Sequence, residues 1–281
     1  MLLPTQPWCS APCADDPSSF HRHVLSIVSA ASASVKSVHV RNTSSRIRHH
    51  RLTCAKLQLG CLFLEKGWRV LLPKVILPKL GYNGSSAEVG VWQGHFSSII
   101  LNDWTNARGN HFLVDPYRAL ACPTNVRASR LDKHCALNSR AFDAAYAQAT
   151  LLVEAHQSRV APNARRRAQF MRSESVAAAQ AIADESLDFA YLDAGHDHHS
   201  VRNDLHAWAR KLCPGGLLAG HDFSERGVRT AVHEFLNRRR PLEGLPKPPR
   251  ELFADGRLFV TAEHPASWFL FRRPRPCNAP L

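Results

Sequence analysis

The sequence predicts an α/β fold, a mostly parallel sheet with helices between its strands and an antiparallel hairpin at the end. Three observations predict it. From Ser86 onward, short apolar runs alternate with segments of helical period. Within that pattern, Leu187 to Phe223 reads strand, helix, turn, strand, and an acid ends each strand, Asp193 and then Asp222. Near the C-terminus, Arg257 to Glu263 and Ser267 to Arg272 are separated only by His264-Pro265-Ala266. Parallel neighbours need a long crossover, so one strand of this pair must run antiparallel.

A chain of 281 residues holds one sizeable α/β domain plus extensions, or two small domains at most. Its formal charge of +13 brings nucleic acid and anionic substrates into consideration. Against that, the excess is a basic leader plus scattered arginines, with triplets only at Arg165 to Arg167 and Arg238 to Arg240. None of the eight cysteines forms a C-x-x-C pair, so zinc-ribbon and thioredoxin-like sites lack support. Their wide spacing suggests free, mostly buried thiols in a reducing compartment. No apolar stretch reaches the length of a membrane span.

The chain divides into a leader (1–56), a lead-in segment (57–85), the α/β domain (86–275) and a short tail (276–281). Asp15 and Asp16 are the only acids before Glu65, and Ser, Ala, Arg and His dominate from Ser18 to His50. That is the composition of a transit peptide, or of a disordered basic tail without an address. The expected location is therefore intracellular: chloroplast or mitochondrion if the leader is a targeting signal, otherwise cytoplasm. The lead-in is apolar and broken by Pro73 and Pro78, a helix and loop covering one side of the domain.

In the domain, Ala87 to Val91 and His111 to Val114 are the first two strands, with a helix from His95 to Trp104 between them. Pro116 to Cys135 reads as a long loop, of the kind that often serves as a lid. Leu137 to Gln157 is an Ala-faced helix, Ala168 to Met171 a third strand and Ser175 to Ala183 a second Ala-rich helix. After the Leu187 to Phe223 stretch, Gly227 to Arg238 is amphipathic, and Pro241 to Pro249 is too rich in proline to be regular.

Two places carry chemistry. In Glu88-Val89-Gly90-Val91-Trp92-Gln93-Gly94, glycines between strand and helix allow a tight turn and a close ligand, or simply serve the turn. Asp115 ends the next strand, where a carboxylate can accept from both ribose hydroxyls of a nucleoside. The pair favours a nucleoside cofactor. The second place holds Asp193, His196 and Asp222. Carboxylate oxygens suit magnesium or calcium, and an imidazole can take a hydroxyl proton near neutrality. His221 is a rival base. Asp204 suits a structural role as an exposed or capping carboxylate as well as a catalytic one.

E-x-G-x-x-x-G, V-D-P-Y, L-D-x-x-H, D-L-x-x-W and P-G-G-x-x-x-G-H-D together resemble class I S-adenosylmethionine-dependent methyltransferases. Methyltransferase family 24, related to small-molecule O-methyltransferases, is the nearest pattern, over about Ser86 to Arg272. The resemblance implies a Rossmann-like, doubly wound sheet of seven strands, the last antiparallel. It implies that Glu88, Gly90 and Gly94 border the methionine part of S-adenosylmethionine, that Asp115 binds the ribose, and that Ser173 and Glu174 flank the adenine. In this chain Arg172-Ser173-Glu174 stands where relatives often show a Gly-Asp pair. His196 and Asp193 become the catalytic pair, and Asp193 with Asp222 the ligands of a Mg2+ ion. Phe223 follows Asp222, so the third ligand is left open.

The expected activity is methyl transfer to a hydroxyl of a small molecule or sugar. Asp193-Ala194-Gly195-His196 replaces the N/D-P-P-Y of base-methylating enzymes, which argues against a nucleic-acid substrate. A nicotinamide-dependent oxidoreductase would share the glycine turn but lacks a Y-x-x-x-K here. A non-catalytic RNA-binding module would use the basic surface alone.

Overall fold

The computed structural model describes residues 20, 22–27, 63–64, 68–105, 107–118, 137–159, 167–245, 247–253, 258–261 and 265–275. The leader beyond its helical residues 22–27, most of the long loop after Pro116, and the tail lie outside the described residues.

The lead-in contributes β1 (Phe63–Leu64), α1 (Trp68–Leu71), a π-helical turn (Leu72–Ile76) and α2 (Leu77–Lys79). Pro73 and Pro78 stand in the first turns of their segments, where a missing N–H costs little. The domain then runs β2 (Ser85–Val89), α3 (His95–Asp103), β3 (His111–Val114), α4 (Ser139–Arg159), β4 (Ala168–Met171), α5 (Ser175–Gln180) and β5 (Leu187–Leu192). It closes with α6 (His198–Ala209), β6 (Leu212–Gly220), α7 (Arg226–Asn237), α8 (Pro249–Leu252), β7 (Phe259–Thr261) and β8 (Trp268–Phe271).

The strands form one sheet in the order β1-β7-β8-β6-β5-β2-β3-β4. All neighbours are parallel except the two pairs made by β8, which lies between β6 and β7. The expected seven strands and their antiparallel member are therefore present. An eighth, the two-residue β1, pairs with β7 at the edge and comes from the lead-in. The Pro-rich stretch after Pro241 is also more regular than its composition suggests, because Pro249 opens the short helix α8.

Alternation along β5 shows how the sheet is covered on both faces. Phe189 and Tyr191 join Leu72, Ile76, Leu77, Phe96 and Ile100 on one face. Ala190 and Leu192 join Ala178, Val201, Leu205, Val228 and Val232 on the other. All six residues of β5 are buried, as a central strand requires. Cys213, buried in β6, is disulfide-bonded, a correction to the free thiols expected from spacing, which cannot reveal pairing.

From β2 the chain winds outward through β3 to β4, then returns to β5 on the other flank of β2. That reversal is a topological switch point, and the crevice beyond the strand ends there is where open α/β sheets take ligands.

Candidate functional site

Each residue just beyond a strand end is pinned by a backbone hydrogen bond to the neighbouring strand. Gly90 N–H donates to Val114 O at 2.8 Å, and Asp193 N–H to Val89 O at 2.7 Å. Asp115 N–H donates to Met171 O at 3.2 Å, and His221 N–H to Leu192 O at 3.0 Å. The ladder thus fixes the ends of four strands in one row. Among the described residues, three of the four non-glycine positions with positive φ, Trp92, Tyr117 and Asp222, lie at this edge. Such backbone is costly for L-residues and persists where surrounding structure holds it.

At the β2 and β3 ends, Glu88 is buried, with Ser97 Oγ donating to its carboxylate. Burial pushes its pKa up to about 8, against the pull of Ser97, so at neutral pH it holds its proton until a cation arrives. Gly90 has φ +90, and a Cβ there would lie 2.2 Å from Asp193 O. Gly94, at φ +77, caps α3 and would press a Cβ to within 2.9 Å of Ala149 of α4. Both glycines answer first to protein backbone and packing. Asp115 accepts from Trp92 N–H at 2.9 Å and Tyr117 N–H at 2.8 Å, which orients it. Ser173 and Glu174 follow β4 at the same edge, with Glu174 bonded to Arg118 at 2.7 Å.

At the β5 and β6 ends, Asp193, His196 and Asp222 come together, each offering a ligand atom within 4.8 Å of the others. His196 Nε2 lies 3.0 Å from Asp222 Oδ2. His221 Nδ1 lies 3.1 Å from that same oxygen and 3.5 Å from Asp193 Oδ1. Burial alone would lower the pKa of His221, but its bonds to Asp193 and Asp222 hold it up at about 8, so it is charged at neutral pH. Burial works to raise the pKa of Asp222; the two imidazoles overcome that and hold it far below the usual carboxylate range. His196 therefore supplies the donor that the sequence left open beside Phe223.

Arg69 of α1 completes the cluster. Its Nη2 donates to Asp193 Oδ2, and its Nε to the Tyr191 hydroxyl at 3.2 Å. As the chain is arranged, the cluster does not fit a divalent ion. It has the donor types, but Arg69 already matches the charge of Asp193, and two imidazoles share Asp222.

A pocket at this edge is lined by Asp193, Gly195, His196, Asp204, His221 and Trp268 among others. Asp204 is buried and accepts from Ser175 Oγ, to which Trp208 Nε1 also donates at 2.9 Å. It is neither exposed nor capping, the structural role the sequence offered beside a catalytic one. Asp197 is the cap, accepting from His199 N–H and Ser200 N–H.

A protein family described as "Methyltransferase domain" matches residues 87–223. Over those residues, a little under half of the chain, the sequence is similar to a methyltransferase domain. No curated protein matches the chain. Among solved structures, the O-methyltransferase NovP is 12% identical, with 92% of this chain and 100% of that one covered at a TM-score of 0.48. An O-methyltransferase from Bacillus cereus, in complex with SAH, is 11% identical, with 89% and 100% covered at 0.47. The calicheamicin methyltransferase CalS11 is 13% identical, with 92% and 94% covered at 0.48.

Of the residues singled out from the sequence, Gly90, Asp115, Asp193 and Asp222 stand just beyond strand ends, Glu88 lies within β2 and Gly94 caps α3. Arg69 and Tyr191 were missed. Tyr191 is masked by its place in an apolar strand, and Arg69 lies ahead of the domain in a segment where nothing chemical stood out.

Proposed function

We propose that the domain transfers a methyl group from S-adenosylmethionine to a hydroxyl of a small molecule or sugar, with His196 as general base. The observation that carries this is the His196–Asp222 contact of 3.0 Å beside Asp193, at the switch point of the sheet. Nε2 packs 3.0 Å from Asp222 Oδ2, which holds the imidazole in place, and an imidazole can take a hydroxyl proton near neutrality. Its rival, His221, is held protonated near pH 7 and is the poorer base.

The groups present fit the cofactor. A carboxyl whose pKa burial raises, Glu88, suits the positively charged amino end, which would favour its ionised form. Asp115 is already oriented by two backbone donors for a ribose diol. When bound, S-adenosylmethionine supplies a methyl carbon that leaves its sulfur as a bond to the acceptor oxygen forms. The chain aligns that oxygen, excludes water and removes its proton to His196. No covalent nucleophile is needed. Ser173 and Glu174 take the adenine flank in this reading, and Asp193 faces the acceptor.

Calorimetry of the full chain with S-adenosylhomocysteine tests the proposal. One-to-one binding is expected, and a chain that takes up neither this ligand nor S-adenosylmethionine would overturn it. The hydroxyl is tested separately, by methyl-transfer assays over panels of phenols, sugars and amines. A panel that yields only methylated amines would remove the O-methylation part.

A further inference from the structure

We propose that Arg69 is the fixed cation of the acceptor side. At Asp193 its guanidinium takes the place of a divalent ion and turns its remaining N–H donors to the oxygen that receives the methyl group. The acceptor in this statement rests on the methyl-transfer reading; the place of the cation does not.

Four observations converge on Arg69. It forms a direct ion pair with Asp193, the one acid of the cluster that both imidazoles leave largely to another partner. Its position is fixed rather than swept: Nε is bonded to Tyr191, and the guanidinium carbon sits 5.3 Å from the Phe96 ring centre and 5.5 Å from that of Tyr191. Tyr191 is itself held, its hydroxyl 3.2 Å from Ser267 Oγ. A third of the Arg69 side chain is exposed, so a ligand entering the crevice can reach it. Finally, guanidinium has five N–H donors, and the bonds to Asp193 and Tyr191 do not use them all.

The charge balance makes the same point. Asp193 is matched by Arg69, and Asp222 by His196 and His221. A divalent ion entering here would meet a guanidinium already seated on its ligand. Arg69 can do part of what such an ion does. A permanent cation next to the acceptor hydroxyl favours its deprotonated form, and fixed N–H donors orient it. As the hydroxyl proton passes to His196, the oxygen forms its bond to the methyl carbon, and the carbon–sulfur pair stays on sulfur. Arg69 stabilises the negative charge that develops on that oxygen and exchanges no proton. It lies in α1, before the matched residues 87–223, so the lead-in completes the site.

The test is a manganese titration of the full chain, read by the loss of the free-ion electron paramagnetic resonance signal. The parent is expected to leave Mn2+ free. Arg69→Met is expected to bind one ion at least about tenfold more tightly, because a unit charge at ion-pair distance is gone. Arg69→Met/Asp193→Asn should lose that binding again. Uptake by the parent equal to that of Arg69→Met overturns the proposal, and so does a failure of Arg69→Met to bind at all. Should Arg69→Met not fold, Arg69→Gln and the charge-keeping Arg69→Lys give the same contrast, with Lys excluding the ion. S-adenosylhomocysteine calorimetry on the same samples reports separately on the methyl-transfer reading.

Discussion

Gly90 and Asp193 meet backbone to backbone: a Cβ on Gly90 would lie 2.2 Å from the Asp193 carbonyl oxygen and 2.7 Å from Ala194 Cα. The glycine of the first loop thus sets the position of the acid on the fourth parallel strand. Gly90→Ala cannot be absorbed by a flexible side chain, since the clash is with backbone, and φ is +90 as well. The expected result is a loss of about 1–3 kcal/mol in stability by chemical denaturation. A melt unchanged from the parent would show that the strand ends are free to separate.

Asp115 is the second measurable point. Trp92 N–H and Tyr117 N–H orient its carboxylate, to which the ribose diol would be bound. Asp115→Ala is expected to weaken S-adenosylhomocysteine about ten- to hundredfold, the usual cost of losing hydrogen bonds to a charged group. Asp115→Asn, which keeps one acceptor, should lose less. Equal affinity for Asp115→Ala and the parent would remove the ribose assignment.

Glu88 gives a pH dependence whose sign is fixed. Its pKa is raised on folding to about 8, chiefly by burial. The folded state therefore binds the proton more tightly than the unfolded state. Its contribution to stability is fully present below the unfolded value of 4.5 and is lost as pH rises through about 8. Glu88→Gln cannot ionise, so its melting temperature should fall less than the parent's between pH 5 and pH 8.5, within ranges where buried groups titrate. Parallel curves for the two proteins would place the Glu88 pKa elsewhere.

The order of elements was legible because it follows from periodicity: Val228, Ala231, Val232, Phe235 and Leu236 are buried at the helical spacing that marked them. The strand-end acids were legible for the same reason, since an acid after an apolar run can lie only at the edge. Contacts between distant segments were not. Nothing in Trp68 to Leu71 says that Arg69 will cross to Asp193. Asp204 misled because its helix has a polar face, whereas burial depends on how α5 packs against α6, and that is a tertiary fact.

Ser175 tests that packing. Its hydroxyl donates to buried Asp204 and accepts from Trp208 Nε1 at 2.9 Å, so one small side chain serves two buried polar groups. Ser175→Ala strips both of a partner. A loss of about 1–3 kcal/mol in unfolding free energy is expected. Raising Asp204 further in pKa is part of that effect: burial already lifts it to about 7, and Ser175 is what holds it down. A neutral result would mean that water replaces the hydroxyl at both positions.

His196 separates chemistry from binding. Its ring lies against Asp222, on the acceptor side, and the cofactor groups Glu88 and Asp115 belong to other strands. His196→Gln should thus keep S-adenosylhomocysteine affinity while kcat falls by about 10²–10⁴, the usual yield of a positioned base. Asp222→Asn should act in the same direction but less, because it disturbs the tautomer and aim of His196 rather than removing the base. Added imidazole should restore part of the rate to His196→Ala and none to Asp222→Asn, a difference that a merely structural histidine would not produce. If His196→Gln turned over at the parent rate while His221→Gln did not, the base would be His221 and the 3.0 Å contact would be structural.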